Sequence, residues 1–204
     1  ICIDKNRQLW VGTENEIILL QDNEIRRTIN IHPYLSNASS NVYINKIRSD
    51  SYGILWFGTT MGDIFRFNPE NYQIKTTSFG KRGEYAHEFY EDSDGKMWIG
   101  AENGLYSYRN GNIEKEIHID DQLEDKTIYS ILRDREGKLW IGTFGKGIFI
   151  FDDNDNLIAN IVRDKGFISN AINHLYMDSK GGIWVATRNG LAYFKNTADT
   201  DQYE

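Results

Sequence analysis

Five copies of one short phrase govern this chain: Leu9-Trp10-Val11-Gly12-Thr13, Leu55-Trp56-Phe57-Gly58-Thr59, Met97-Trp98-Ile99-Gly100-Ala101, Leu139-Trp140-Ile141-Gly142-Thr143 and Ile183-Trp184-Val185-Ala186-Thr187. Their tryptophans lie 46, 42, 42 and 44 residues apart. The fourth copy is the clearest to read. Ile128 to Arg133 is a strand, and Asp134-Arg135-Glu136-Gly137 turns the chain. Lys138 to Thr143 is a second strand, Phe144 to Gly147 turns again, Ile148 to Phe151 is a third, and Leu157 to Val162 is a fourth. Four strands joined by tight turns form an antiparallel meander.

The second and third strands are apolar on consecutive residues, so both faces of each sheet must be covered. Sheets that stack on one another satisfy this. A repeat of about 40–45 residues with four strands per unit is the pattern of a β-propeller. The fold class expected is therefore all-β, with five consecutive blades at about 1–30, 42–79, 85–119, 127–162 and 170–204. The first strand of the first copy is cut short at Ile1, and Asn196 to Glu204 carries no fourth-strand pattern. These features read as part of a larger ring of the seven-bladed type, with a complete five-bladed ring as the alternative.

Trp10, Trp56, Trp98, Trp140 and Trp184 are expected to be structural, packed between neighbouring blades, where each buries about 150–250 Å². The small residue two places on is expected to leave room for the ring or for close backbone approach. The turn before each phrase is Asp50-Ser51-Tyr52-Gly53, Asp92-Ser93-Asp94-Gly95, Asp134-Arg135-Glu136-Gly137 or Asp178-Ser179-Lys180-Gly181. There Asp accepts backbone N–H groups and Gly supplies positive φ. The first copy, Asp4-Lys5-Asn6-Arg7, lacks the glycine.

Composition removes several function classes. The net charge is −7, from 23 basic and 30 acidic residues, which argues against a nucleic-acid partner. The one cysteine, Cys2, excludes an internal disulfide and a cysteine-built zinc site. Asp92-Ser93-Asp94-Gly95 echoes a calcium loop, but the twelfth position is Asn103 and the flanks are strands. Asp152-Asp153-Asn154-Asp155 reads as a solvated turn. His32, His87, His118 and His174 show no metal spacing. No phosphate loop or nucleophile elbow is present, and neither a cofactor nor a metal is expected.

Meander geometry sorts the connections onto two ends of each blade. Links between blades and turns after the second strand share one end, and these are the long, varied ones. Function concentrates on variable loops over a rigid frame. The expected ligand surface is this link end, with Tyr34, Asn41, Arg82, Tyr85, His87, Lys126, Arg163, Phe167 and Asn170. Aromatic and hydrogen-bonding groups of this kind suit a sugar or another polar ligand.

The repeat Asp-x-x-Gly-x-Leu-Trp-Ile-Gly-Thr, followed by a Gly-Leu-type third strand, resembles the two-component regulator propeller repeat. Lys138 to Gly147, Gly181 to Leu191 and Asp92 to Leu105 match it well. Gly166-Phe167-Ile168-Ser169-Asn170-Ala171-Ile172 resembles the blade entry of that family, and Tyr34-Leu35-Ser36-Asn37 echoes it loosely. Ala101 for Thr and Ala186 for Gly are the departures besides the first turn. The resemblance implies the periplasmic sensor region of a Bacteroides-type hybrid two-component system, above a membrane helix and a histidine kinase. It further implies an oligosaccharide ligand from polysaccharide breakdown, neighbouring propeller and membrane-proximal domains in the same protein, a homodimer, and no catalysis in this region. The residues alone leave a protein-docking scaffold and a polysaccharide hydrolase or lyase open beside the sensor.

Overall fold

The computed structural model describes residues 1–36, 42–79, 84–109, 111–116 and 127–195. Five antiparallel sheets follow in chain order. The first contains β1 (Cys2–Ile3), β2 (Leu9–Gly12), β3 (Glu16–Gln21) and β4 (Glu24–Asn30). The second contains β5 (Ile44–Ser49), β6 (Leu55–Thr59), β7 (Asp63–Phe67) and β8 (Ile74–Ser78). The third contains β9 (Ala86–Glu91), β10 (Met97–Ala101), β11 (Gly104–Arg109) and β12 (Asn112–Lys115). The fourth contains β13 (Ile128–Arg133), β14 (Leu139–Thr143), β15 (Ile148–Phe151) and β16 (Leu157–Ile161). The fifth has three described strands, β17 (Ile172–Met177), β18 (Ile183–Thr187) and β19 (Gly190–Phe194). Each sheet is a meander in sequence order. The chain is all-β and its sheets are propeller blades. The described residues divide into two compact units, Ile1–Met97 with Tyr108–Glu114 and Trp98–Ser107 with Lys115–Glu204.

One hydrogen-bonded clasp recurs at the turn after the first strand. In the second unit, Asp134 Oδ1 accepts the backbone N–H groups of Glu136 and Lys138, both at 2.9 Å. Its Oδ2 accepts the indole N–H of Trp140 at 2.8 Å. Asp4 holds Trp10 and Asp50 holds Trp56 in the same way in the first unit, each at 2.8 Å. The turn aspartate and the tryptophan six residues on thus form one motif. Sequence reasoning gave the aspartate its backbone partners but missed the indole. The turn glycines Gly53, Gly95, Gly137 and Gly181 have φ between 80° and 91°. Arg7 takes the left-handed conformation in the copy without glycine, at φ 62°.

Blade stacking explains the rest of the phrase. In the first unit Trp10 meets Phe67 of the second sheet edge-on at 5.3 Å, and Trp56 meets Tyr108 at 4.9 Å. In the second unit Trp140 meets Phe194 of the fifth sheet at 5.4 Å. β6, β10, β14 and β15 are buried at every residue, as their unbroken apolar runs require. In the four copies that have it, the glycine two residues after the tryptophan admits a neighbour's side chain. A Cβ at Gly142 would lie 2.7 Å from Ile172 Cγ2, and one at Gly12 would lie 2.5 Å from Ile44 Cγ2. That space serves the first residue of the next blade's inner strand, not the indole ring.

Trp184 departs from the expected burial. It is 38% exposed and lies on Tyr193 of its own sheet, ring centroids 4.5 Å apart. The other three contacts above use an aromatic of the following sheet, and among the described residues no sheet follows the fifth.

Candidate functional site

Three of the inner strands, β5, β13 and β17, carry a register irregularity near their start. It falls between Ile44 and Lys46, between Ile128 and Ser130, and between Ile172 and His174. Bulges of this kind re-aim one side chain out of the ladder, here Asn45, Tyr129 and Asn173. The irregularities lie at the link end of their sheets, so this end has both the long connections and the displaced side chains.

In the first unit, the link after β4 enters a short 3₁₀ turn, His32–Tyr34, with a proline at its start. Buried Asp63 receives the Ser36 N–H on both carboxylate oxygens, at 3.3 and 3.4 Å. Asn15 latches the link at both ends. Its carbonyl accepts Ile31 N–H at 2.8 Å, and its side-chain oxygen accepts Val42 N–H at 3.1 Å. On this anchored frame Tyr34 and Tyr43 are exposed. Tyr85 and His87 are half-buried, with their rings 5.1 Å apart edge to face. Lys46 pairs with buried Glu88 at 2.9 Å across neighbouring inner strands. A cavity of about 260 Å³, lined by Ile1, Gly12, Ile44, Asn45, Lys46 and Ile47, opens beside this pair.

In the second unit, Arg163–Lys165 forms a 3₁₀ turn closed by Gly166 at φ 99°. Arg163 and Lys165 are exposed. Asn170 is half-buried and structurally engaged: its Oδ1 accepts Arg163 N–H at 2.6 Å. Its carbonyl accepts the N–H groups of Gly145 and Gly147, both at 2.9 Å. Phe167 corrects the expected site. It is 3% exposed and packs on Phe194 at 6.0 Å, so it is core and not a ligand contact. An apolar ring in a short blade entry folds under the loop because the third strand of the same blade offers it a surface. Asn41, Arg82 and Lys126 lie outside the described residues.

Sequence reasoning passed over an aromatic pair in this unit. Phe144 follows the closing threonine of its repeat and is 51% exposed. The bulged Tyr129 lies beside it, ring centroids 5.5 Å apart at 43°. The signal that would have found it is the contrast between a constant frame and a variable position. Glu14, Thr60, Glu102, Phe144 and Arg188 occupy the same place in five repeats, and no one chemistry is common to them.

Two carboxylates with displaced titration, Asp152 and Asp178, lie at the opposite end of the sheets. Hydrogen bonds from the backbone and then the side chain of Asn156 hold Asp152 below the usual carboxylate range. Partial desolvation pushes Asp178 up. The N–H groups of Lys180 and Gly182 and the side chains of Trp184 and Tyr193 outweigh it and pull the carboxyl down. Among the described residues no group of three or more His, Cys, Asp or Glu is placed to hold a metal ion. The chemistry gathered at the link end is stacking and hydrogen bonding.

Four-stranded meanders clasped by an Asp–Trp hydrogen bond and stacked through a glycine define a propeller of the repeat-built class. Residues 80–103, 122–145 and 166–189 match the two component regulator propeller model, so the chain carries the repeat it resembles. Histidine kinase P4 of Formosa agariphila is 27% identical over 96% of this chain, which spans 15% of that protein's length. The extracellular domain described as part of a hybrid two component system of B. thetaiotaomicron superposes with a TM-score of 0.78 at 29% identity. That likeness covers 98% of this chain and 27% of the other. Virginiamycin B lyase of Staphylococcus aureus superposes with a TM-score of 0.75 at 15% identity, covering 99% of this chain and 67% of the lyase. At that identity the likeness shows the fold alone. This chain is thus similar to an extracellular domain of a hybrid two component system. Among the described residues no helix is long and apolar enough to cross a membrane.

Proposed function

We propose that this chain is part of the ligand-sensing propeller of a hybrid two-component histidine kinase, held outside the cytoplasm. Its ligand is an oligosaccharide released from a polysaccharide, taken at the link end of the blades. The observation that carries this reading is the 29% identity, spread over 98% of the chain, to an extracellular domain of such a system. The anchored links support it, since Asn15, Asp63 and Asn170 hold their loops by hydrogen bonds and so present stacking groups on a rigid frame. Further blades complete a larger ring, and the partners are neighbouring domains of the same protein and a second copy of it. Signalling requires the ligand to favour one of two receptor arrangements, because equal affinity for both shifts nothing.

A thermal melt against a panel of neutral and acidic oligosaccharides tests the reading. A ligand at 100 times its Kd stabilises the native state by about 2.7 kcal/mol. A concentration-dependent rise with one glycan class and no product supports the sensor. Product formation favours the lyase or hydrolase reading. A cooperative melt unmoved by any glycan removes the sugar ligand and favours protein docking.

A further inference from the structure

We propose that Tyr129 and Phe144 form a stacking platform for one sugar ring and that Arg188 receives an acidic substituent of the same oligosaccharide, a carboxylate or a sulfate. The inference rests on the saccharide-sensing reading above and names the site and the ligand chemistry within it.

The argument starts from what the repeat does not need. Phe144 occupies a turn position filled elsewhere by Glu14, Thr60, Glu102 and Arg188, so turn geometry does not call for an aromatic. Its backbone is held in place: its N–H donates to Thr127 O at 2.9 Å, and the residue bridges Ala171 of the next blade. The ring nevertheless stays half in water. Solvating an apolar ring is unfavourable, and a packed position is open to such a ring nearby, since Phe167 takes one. Tyr129 braces the ring, and a bulge aims Tyr129 there. A fixed pair of aromatic faces at the variable end of a blade suits the apolar C–H face of a pyranose.

Arg188 is the repeat equivalent of Phe144 in the next blade. Its N–H donates to Ala171 O at 3.1 Å, while Phe144 bridges the same Ala171 from the other side. Two strand spacings therefore separate Phe144 and Arg188, about 10 Å, the length of a disaccharide. Among the described residues no carboxylate pairs with the Arg188 guanidinium, and the side chain is exposed. Lys146, two residues beyond Phe144, adds a second exposed cation. In a chain of net charge −7, cations beside an aromatic platform select an anionic sugar. Arg meets a carboxylate or a sulfate with paired N–H donors. Asn173, at the next bulge, is placed for a hydroxyl.

Calorimetric titration with galactobiose, digalacturonate and a sulfated galactose disaccharide tests this on the wild type, Phe144→Ala, Arg188→Gln and Tyr34→Ala. All three substitutions are at exposed positions, so the melt should stay near wild type. The expected result is binding of an acidic disaccharide, weakened at least tenfold by Phe144→Ala. Arg188→Gln should lower affinity for the acidic sugar about tenfold and leave the neutral one unchanged. The uronate and the sulfate arms identify which acid is preferred. Sugar binding lost in Tyr34→Ala but untouched by Phe144→Ala and Arg188→Gln overturns this site and leaves the sensor reading standing. Equal affinity for neutral and acidic sugars overturns the role of Arg188. No binding of any of the three overturns the platform.

Discussion

Replacing Asp134 with alanine removes three hydrogen bonds at once, and their unequal burial sets the cost. Two come from the N–H groups of Glu136 and Lys138, which stand near solvent in the turn. Water replaces the lost carboxylate there, so each is worth about 0.5–1 kcal/mol. The third comes from the indole of Trp140, which is fully buried. Its donor is left unsatisfied, at about 1–3 kcal/mol. Asp134 is itself only 6% exposed, so water reaches the turn N–H groups but not the indole end of the lost carboxylate. The expected loss is about 3–4 kcal/mol in urea unfolding at neutral pH, with the slope m unchanged. Asp134→Asn, which keeps one acceptor oxygen, should lose about half as much. A double-mutant cycle with Trp140→Phe isolates the indole bond, and its coupling should be about 1–2 kcal/mol. Asp178→Ala is the internal contrast: its bond to Trp184 is longer, 3.3 Å, and that indole is exposed, so the loss should be smaller. A loss below about 1 kcal/mol for Asp134→Ala, or no coupling to Trp140→Phe, would refute the clasp as a stabilising unit.

Other perturbations follow from the same geometry. Gly142→Ala puts a Cβ 2.7 Å from Ile172 Cγ2 and should cost about 1–3 kcal/mol by overpacking, read from the denaturation midpoint. Lys46→Ala strips the partner from Glu88, which is 2% exposed; a loss of about 3 kcal/mol is expected, and Glu88→Gln in the same chain should recover part of it. Asp152 and Asp178 have lowered pKa values when folded, so their contribution to stability is complete above the unfolded carboxylate value of about 3.9. It is lost as pH falls through their lower folded values. Denaturation midpoints between pH 6 and pH 2 should therefore fall at the acid end, with a flatter profile for Asp152→Asn; an unchanged profile counts against those hydrogen bonds.

The period, the strand order and the turn chemistry were legible in the sequence because each depends on residues close along the chain. Asp50 and Gly53 belong to one turn, and a short apolar run such as Leu139 to Thr143 announces a strand covered on both faces. Even the Asp–Trp clasp spans only six residues. It escaped notice because the carboxylate's two oxygens do different work, one for the turn and one for the indole. That the link end holds the varied connections was legible. Which residues face outward there was not.

That second question depends on partners 30 or more residues away in the chain. Gly142 is small because Ile172 arrives from the next blade, and Lys46 is charged opposite Glu88, 42 residues on. Phe167 and Phe144 are both phenylalanines in loops of one unit, yet one is core and the other half in water. Phe194 covers the first, while the second stands in a turn with its N–H bonded to Thr127 O and its ring half in water. Composition and spacing carry no record of that difference. The sequence by itself determined a repeat-built, stacked all-β chain, because strand period and turn propensity are local. Only the tertiary structure decided which side chains the stacking buries and which it leaves for a ligand, because burial is set by what the next blade brings against each residue.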